Sequence, residues 1–144
     1  MIRRAVSDDA PAIAALFRRS FGTLSFLPSL HTKEEDLVFF GAAVEEQEVW
    51  VWDEDGRILG FAALGDTMLN HLYVDASEQA RGIGAALLAH AKVRRDQGFR
   101  LWTFQQNANA RRFYENRGFH AVEMTDGSRN EEHEPDVLYE WIPD

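Results

Sequence analysis

A strand-like run that passes through a short loop into a helix opened by two glycines is the feature that most limits how this chain can fold. The run ends at Val74, and Gly82 and Gly84 stand where apolar residues begin to recur at helical spacing. A second strand-like run, at residues 100–105, follows that helix. A strand, a helix and another strand in this order form a crossover unit, which requires an α/β architecture.

The segments around this unit predict a mixed α/β fold in one domain spanning residues 1–144. Ser7-Asp8-Asp9 supplies N-cap side chains for a first helix, and Thr32 with Glu35 forms a capping box for a second one. Asp55-Gly56 predicts the turn of a hairpin. The predicted order is β-α-α-β-β-β-α-β-α-β-β, an antiparallel meander that leads into the crossover. Strands are expected at residues 2–5, 49–52, 58–62, 68–74, 100–105, near 122 and at 137–141, and helices from 7, from 32 to about 44, from 82 to a cap at Gly98, and from 108 to 117.

Composition excludes several classes of protein. The chain has no cysteine, which removes disulfides, thiolate metal sites and any mechanism that holds a group covalently on a cysteine. No apolar run approaches the ~18 residues that a membrane span needs, and residues 1–4 lead into no signal-peptide core. We therefore expect a cytoplasmic protein that does not bind membranes.

The charge distribution is uneven along the chain. The net charge is −9, but residues 79–117 hold eight basic and two acidic residues, whereas residues 31–78 hold two basic and twelve acidic ones. Nucleic-acid binding depends on a dense basic face, so an acidic chain with one basic segment is not expected to bind nucleic acid. A local positive field suits a small polyanion better.

The paired glycines predict where such a polyanion would bind. Without side chains, Gly82 and Gly84 let backbone N–H groups approach a ligand, and the helix start adds partial positive charge. Arg81 would supply a cation beside them, so the segment predicts a pyrophosphate cradle. No Gly-Lys-Ser/Thr follows, and Leu87 stands where the dinucleotide fingerprint needs a third glycine. The alternative is a glycine-containing turn that merely starts a helix.

Two stretches, within about residues 58–119, resemble the GNAT superfamily of N-acetyltransferases. The first is similar to the superfamily's acetyl-CoA motif Q/R-x-x-G-x-G/A and consists of Gln79-x-x-Gly82-x-Gly84-Ala85. The second is similar to the strand and helix that follow in the superfamily: Leu101-Trp102-Thr103-Phe104, Asn107, Ala110-Arg111-Arg112-Phe113-Tyr114-Glu115 and Gly118-Phe119. Both stretches have the superfamily's order and spacing.

The resemblance implies a central mixed sheet whose two parallel strands splay apart, with flanking helices and acetyl-CoA as co-substrate in the gap. The strand edge would pair with the pantetheine arm as an added strand would, and the amides at the helix start would hold the pyrophosphate. Asn107 would hydrogen-bond the pantetheine, a role compatible with a helix N-cap. The implied cofactor-binding residues are Leu72, Tyr73, Val74, Gln79, Ala80, Arg81, Gly82, Ile83, Gly84, Ala85 and Asn107.

The reaction implied by the resemblance is direct attack of a primary amine on the acetyl-CoA thioester in a ternary complex. An alkyl ammonium with a pKa near ~10 must first lose a proton, and the departing thiolate must gain one. Tyr114 matches the position of a tyrosine acid in many members; otherwise it is an ordinary core aromatic. Some members carry a glutamate base where this chain has Met68.

The general base and the acceptor are less constrained. His71 is the titratable residue nearest the motif, although strand alternation points it away from the face of Leu72. His31 and Glu35 lie where the superfamily's first two helices border the acceptor, and water-relayed deprotonation is a further alternative. Residues 21–30, 39–40 and the loop after residue 122 are expected to line the acceptor pocket, for a small-molecule or peptide amine.

Three alternatives to an acetyltransferase stay open. The fold could serve as a non-catalytic acyl-CoA-binding sensor or partner module, take a longer acyl donor, or belong to another nucleotide-binding class. His120 and His133 lack the spacing of metal ligands, so no metal site is predicted. The acidic segments could attract a cationic amine or serve solubility alone, and a homodimer is left open.

Overall fold

The computed structural model describes residues 1–79 and 81–144, and within these ranges seven strands and four helices follow the predicted order. The elements are β1 (Ile2–Arg4), α1 (Ala10–Phe21), α2 (Lys33–Glu46), β2 (Glu48–Glu54), β3 (Arg57–Leu64), β4 (Leu69–Val74), α3 (Ile83–Arg94), β5 (Phe99–Phe104), α4 (Ala108–Glu115), β6 (His120–Met124) and β7 (Asp136–Trp141). Short 3-10 turns occupy Ser7–Asp9 and Ala76–Glu78. The mixed α/β fold is therefore confirmed.

Local signals for α2 and the hairpin are confirmed, whereas Asp9 occupies the N-cap position of α1 without the predicted side-chain cap bond. Thr32 and Glu35 form the capping box, and Asp55 and Gly56 both have positive φ angles, 54° and 87°. Asp9, however, belongs to the 3-10 turn, and its carboxylate accepts hydrogen bonds from the Arg3 guanidinium at 2.8 and 2.9 Å. An ion pair with β1 thus takes the carboxylate that a helix cap would use.

The strands form two antiparallel sheets, with the orders β1-β2-β3-β4 and β5-β7-β6. One isolated parallel bridge, between Met68 and Arg100, joins them in the described part of the chain, with the Arg100 amide donating to the Thr67 carbonyl at 3.0 Å. Met68 lies just before β4, and Arg100 is the second residue of β5. Because the bridge lies at these N-terminal ends, β4 and β5 separate toward their C-terminal ends. This is the splay that the resemblance implies.

Two apolar clusters pack on opposite faces of the larger sheet. Ile13, Leu16 and Phe40 of α1 and α2 cover one face, and Leu87 and Leu88 of α3 cover the other. Burying each of these side chains stabilises the fold by roughly 1.5–3 kcal/mol. The gap between β4 and β5 therefore has an α1 side and an α3 side.

Gly60 on β3 determines how closely α3 approaches the sheet. A Cβ at this position would lie 3.0 Å from Ile83 Cγ2 and from Leu87 Cδ1, and 3.2 Å from the Tyr73 carbonyl oxygen. Only a residue without a side chain leaves room for the first turns of α3. The start of α3 consequently lies directly beside the gap.

Candidate active site

The open edge of β4 forms one wall of the gap. The Asp75 amide donates to the Leu59 carbonyl at 2.8 Å, which extends the ladder between β3 and β4. Because an antiparallel ladder alternates, Tyr73 directs its backbone toward β3 while Leu72 and Val74 direct theirs toward the gap. The Val74 carbonyl already accepts hydrogen bonds from Ser20 Oγ at 2.8 Å and Gln79 Nε2 at 3.0 Å. The Leu72 and Val74 amides have no backbone partner within the described ranges.

The first turn of α3 presents free amides at the same place. Gly82 has a left-handed conformation with φ of 81°, and the first internal bond of the helix runs from the Ala86 amide to the Gly82 carbonyl at 3.0 Å. The amides of Ile83, Gly84 and Ala85 therefore have no partner inside the helix. No side-chain hydrogen bond caps this end in the residues that the structure describes. Together with Gln79 and Arg81 we call these residues (79 and 81–85) the cradle; Ala80, predicted with them, lies outside the described residues.

Gly84 faces the interior of the gap. A Cβ there would lie 3.4 Å from Val74 Cγ2 on β4 and 3.7 Å from Phe113 Cζ on α4. A Cβ at Gly82 would instead meet nothing within 4 Å, and only its positive φ favours glycine. Gly82 is thus favoured for its backbone conformation, whereas Gly84 is favoured for the space that it leaves beside Val74 and Phe113.

Arg81 does not present a free cation to the cradle. Its guanidinium donates to Glu54 at 2.9 and 3.1 Å and to Glu78 at 2.8 Å. These bonds raise the pKa of Arg81 above its ordinary value, with Glu54 as the largest cause. The side chain is thereby held toward β2, so the positive character of the cradle comes from its amides.

Asn107 begins α4 at the other wall of the gap. Its Oδ1 accepts a hydrogen bond from the Ala110 amide at 3.2 Å, which confirms its N-cap role. It also lines a small cleft of about 240 Å³ between the start of α4 and residues 23–26 of the α1–α2 connection. The N-cap role is thus established, and the contact with pantetheine stays a prediction.

Tyr114 and Tyr73 approach the gap from opposite faces of the sheet. Tyr114 is buried on the α3 side, with its ring 5.4 Å from that of Phe119, and Tyr73 packs on the α1 side, 5.1 Å from Phe17. Burial raises the pKa of Tyr114, and the nearby Tyr73 hydroxyl raises it further. Burial likewise raises the pKa of Tyr73, with a further contribution from Glu132. Both phenols are protonated at neutral pH and can donate a proton.

His71 lies in an aromatic surround on the α1 side. The rings of Phe39, Phe40 and Tyr73 have centroids 5.7, 5.2 and 6.2 Å from the imidazole. Burial lowers its pKa to about 4, so the ring is neutral and weakly basic. The side chain faces away from Leu72, as strand alternation predicts. Because the ring is neutral and packed among aromatic side chains, it is better suited to a packing role than to the role of general base.

His31 and Glu35 occupy different environments. Glu35 is exposed, and its Oε1 accepts a hydrogen bond from the Thr32 amide at 2.8 Å, which lowers its pKa. His31 Nε2 lies 2.6 Å from Glu131 Oε1, one hundred residues away, and this contact raises the pKa of His31. His31 therefore connects the α1–α2 segment to the segment between β6 and β7.

A larger cleft on the α1 side was only partly expected from the sequence. It measures about 500 Å³ and is lined by Trp102, Thr103, Phe104, Glu123, Thr125, Arg129, Asn130, Glu132 and Asp136. Three of these side chains are carboxylates and one is a guanidinium, so we call it the acidic cleft. The loop after residue 122 was expected to contribute, but no pattern in the sequence singles out Glu132. Only the folding of residues 125–135 over the end of β5 brings it there.

Two negative findings apply to the described ranges. Residues 1–79 and 81–144 contain no group of three or more His, Cys, Asp or Glu side chains arranged to hold a metal ion. Within the same residues, none of the helices has the length and apolar character needed to cross a membrane.

Comparison with known proteins identifies the family. Residues 45–121 match the family described as "Acetyltransferase (GNAT) domain". The chain is 32% identical over 126 residues to the peptidyl-lysine N-acetyltransferase YiaC of Escherichia coli K12, covering 85% of each protein. This chain therefore belongs to the GNAT family of acetyltransferases, and it is an N-acetyltransferase.

Solved structures agree with the fold. A GCN5-related N-acetyltransferase from Rhodopseudomonas palustris superimposes with a TM-score of 0.84 at 22% identity, over 99% of this chain and 95% of the other. The PaiA N-acetyltransferase of Thermoplasma acidophilum, solved in complex with coenzyme A, gives a TM-score of 0.74 at 19% identity, over 99% and 98% of the two chains. The splayed sheet is thus an architecture shared with other acetyltransferases.

Proposed function

We propose that this enzyme transfers the acetyl group of acetyl-CoA to the side-chain amine of a lysine in a protein or peptide. The observation that carries the proposal is the gap between β4 and β5. It has free amides at the start of α3 on one side, an acidic cleft on the other and a buried tyrosine hydroxyl between them. The similarity to a peptidyl-lysine N-acetyltransferase supports the choice of acceptor.

The cradle suits the pyrophosphate of coenzyme A. The Ile83, Gly84 and Ala85 amides point out of the helix start, where partial positive charge accumulates. Gly84 leaves space that a side chain would fill toward Val74 and Phe113. When bound, acetyl-CoA supplies an acetyl thioester, the acyl donor of the reaction.

The walls of the gap provide partners for the pantetheine arm. The Leu72 and Val74 amides are directed into the gap, which suits strand-like pairing with the amide groups of the arm. Asn107 adds a polar side chain at the opposite wall. A coenzyme A-bound relative with the same fold supports this path.

Tyr114 is proposed as the proton donor to the departing thiolate. Its hydroxyl is buried at the gap and stays protonated because its pKa is raised. The raised pKa keeps the phenol protonated until the thiolate develops; we propose that it then donates its proton to the sulfur and regains one from solvent. The chain has no cysteine to carry the acetyl group, so we propose direct transfer within a ternary complex.

The acidic cleft is proposed as the acceptor site. Its carboxylates attract a lysine ammonium, and the Trp102 ring offers an apolar wall for the aliphatic stem of lysine. His31 reaches the segment that forms this cleft through its contact with Glu131, and we propose His71 and Glu35 only as more distant contributors to the acceptor side. A small amine would contact few of these groups, which favours a peptide acceptor.

Calorimetry and thiol release test the proposal together. We expect coenzyme A to bind the purified protein, and free thiol to appear with lysine-containing peptides and acetyl-CoA faster than with small amines. Coenzyme A binding without thiol release across a broad set of amines would instead identify a non-catalytic acyl-CoA-binding module. Absence of coenzyme A binding would overturn the proposal.

A further inference from the structure

The carboxylates around the acidic cleft differ in whether another side chain of the protein already pairs with them. Arg129 lies 3.8 Å from Glu123, and Asn130 donates to Asp136 at 3.1 Å. Glu131 contacts His31 at 2.6 Å. Glu132 is partly buried, and within residues 1–79 and 81–144 it forms no ion pair with an Arg, Lys or His side chain; neighbouring Glu131 raises its pKa and His31 lowers it. A half-buried carboxylate without a cation is costly, so its position calls for a positively charged occupant.

Glu132 lines the acidic cleft beside the end of β5. Its charge contributes to the raised pKa of Tyr73, and Tyr73 contributes in turn to the raised pKa of Tyr114, although burial is the larger cause for both. The acidic cleft that Glu132 lines contains Thr103 and Phe104, the last residues of β5, where the strands have separated. An amine that enters this cleft therefore meets Glu132 on its way to the gap.

The other candidates for a proton acceptor are poorly suited. Met68, where the resemblance would allow a carboxylate, has no group that accepts a proton. His71 is buried among aromatic rings and its pKa is lowered to about 4. Glu35 is committed to the capping box on the exposed surface.

We propose that Glu132 is the general base of the reaction, and this rests on the proposed function. Its carboxylate accepts a proton from the lysine ammonium in the acidic cleft. The freed nitrogen lone pair forms a bond to the thioester carbonyl carbon, and the carbon–sulfur bond breaks. The nitrogen gives up its second proton to water, which leaves a neutral amide. The sulfur keeps the electron pair and takes a proton from Tyr114, which regains one from solvent, while Glu132 releases its proton to solvent.

The surroundings tune Glu132 for this role. Burial raises its pKa above the ordinary glutamate value, and neighbouring Glu131 raises it further, whereas His31 lowers it. Its charge contributes to the raised pKa of Tyr73 on β4, and Arg129, Glu123 and Asp136 share its cleft. A base whose pKa lies closer to the working pH accepts a proton more effectively than an exposed glutamate does.

The test compares Glu132→Gln with Asp126→Asn in steady-state thiol release from acetyl-CoA and a lysine peptide. Asp126 lies in the same segment but is exposed, and its Oδ1 accepts the Ser128 amide, which asparagine also does. For Glu132→Gln we expect kcat/KM to fall by roughly 100-fold or more, the usual scale of general-base catalysis. Asp126→Asn should stay within about twofold of wild type.

A pH profile separates catalysis from structure. In the wild-type enzyme, log kcat/KM should show an acidic limb whose midpoint lies above the ordinary glutamate pKa of ~4.3, and Glu132→Gln should lack that limb. Glu132→Asp should keep it with an intermediate rate. Coenzyme A affinity by calorimetry should be unchanged in all three variants. Glu132→Gln with a near wild-type rate and an intact acidic limb would overturn the role of Glu132. Failure of the wild-type protein to bind coenzyme A or release thiol would overturn the proposed function instead.

Discussion

The two sides of the gap are built from different parts of the chain. The cradle comes from residues close together in the chain, 79 and 81–85, and its positive character lies in backbone amides. The acidic cleft comes from β5, β6 and the segment that follows β6, and its character lies in side chains. A site built from the backbone depends on a few glycines, whereas a site built from side chains can change its chemistry without changing the fold. Specificity for the acceptor is therefore expected to reside in the acidic cleft.

The largest expected effect comes from placing a side chain in the cradle, where coenzyme A is proposed to bind. Gly84→Val should lower coenzyme A affinity by roughly 100-fold or more, because its methyl groups would fill the space between Val74 and Phe113. Calorimetry with coenzyme A measures this. The matched control is Gly41→Val, in α2, where an added Cβ meets nothing within 4 Å. Unchanged affinity in Gly84→Val would show that coenzyme A does not bind at the cradle.

A second prediction concerns the hydroxyl between the two sides. Tyr114→Phe should reduce kcat by about 100-fold, the lower range for loss of a general acid, with coenzyme A affinity nearly unchanged. Tyr139→Phe is the control, because the hydroxyl of this neighbouring tyrosine is already engaged, donating to Glu115 and accepting from the Arg111 guanidinium. It should cost about 1–2 kcal/mol of stability and leave kcat unchanged. Wild-type turnover in Tyr114→Phe would remove it from the mechanism.

The seat of α3 can be tested by stability alone. Gly60→Ala should destabilise the protein by about 1–3 kcal/mol, because the added Cβ overpacks against Ile83 and Leu87. Gly41→Ala, at an open position in α2, should stabilise it by up to about 1 kcal/mol. Urea denaturation followed by circular dichroism measures both. Equal effects of the two alanines would contradict the close approach of α3 to β3.

The smallest expected effect concerns His31 and its contact with Glu131 on the acceptor side. The Glu131 contact raises the pKa of His31 above its unfolded value, so the attraction is complete below that unfolded pKa, ~6.5, and is lost as pH rises through the folded pKa. His31→Asn should therefore raise the KM for a lysine peptide a few-fold near pH 6, and the ratio to wild type should approach one at alkaline pH. His133→Asn, an exposed position with φ of 51°, provides the control. A ratio that does not vary with pH would separate His31 from the acceptor site.

Sequence reasoning succeeded where neighbours in the chain determine structure. The capping box of Thr32 and Glu35 and the N-cap of Asn107 use residues three positions apart, so both could be predicted. Asp9 stands at the N-cap of α1, but its carboxylate bonds Arg3 on a strand instead of capping the helix, and an ion pair between elements leaves no periodic signal. Arg81 was expected beside the cradle, whereas Glu54 from a preceding strand holds its charge.

By itself, the sequence determined the order of the elements, the family and the position of the cradle, because apolar periodicity, caps and paired glycines act over a few residues. Tertiary structure alone decided which carboxylates meet at the acceptor side. Glu132 and Tyr73 are 59 positions apart, and their proximity depends on how β4 and β5 diverge and how residues 125–135 fold back. Burial and neighbouring charge, which tune acid and base groups, exist only once the chain has packed.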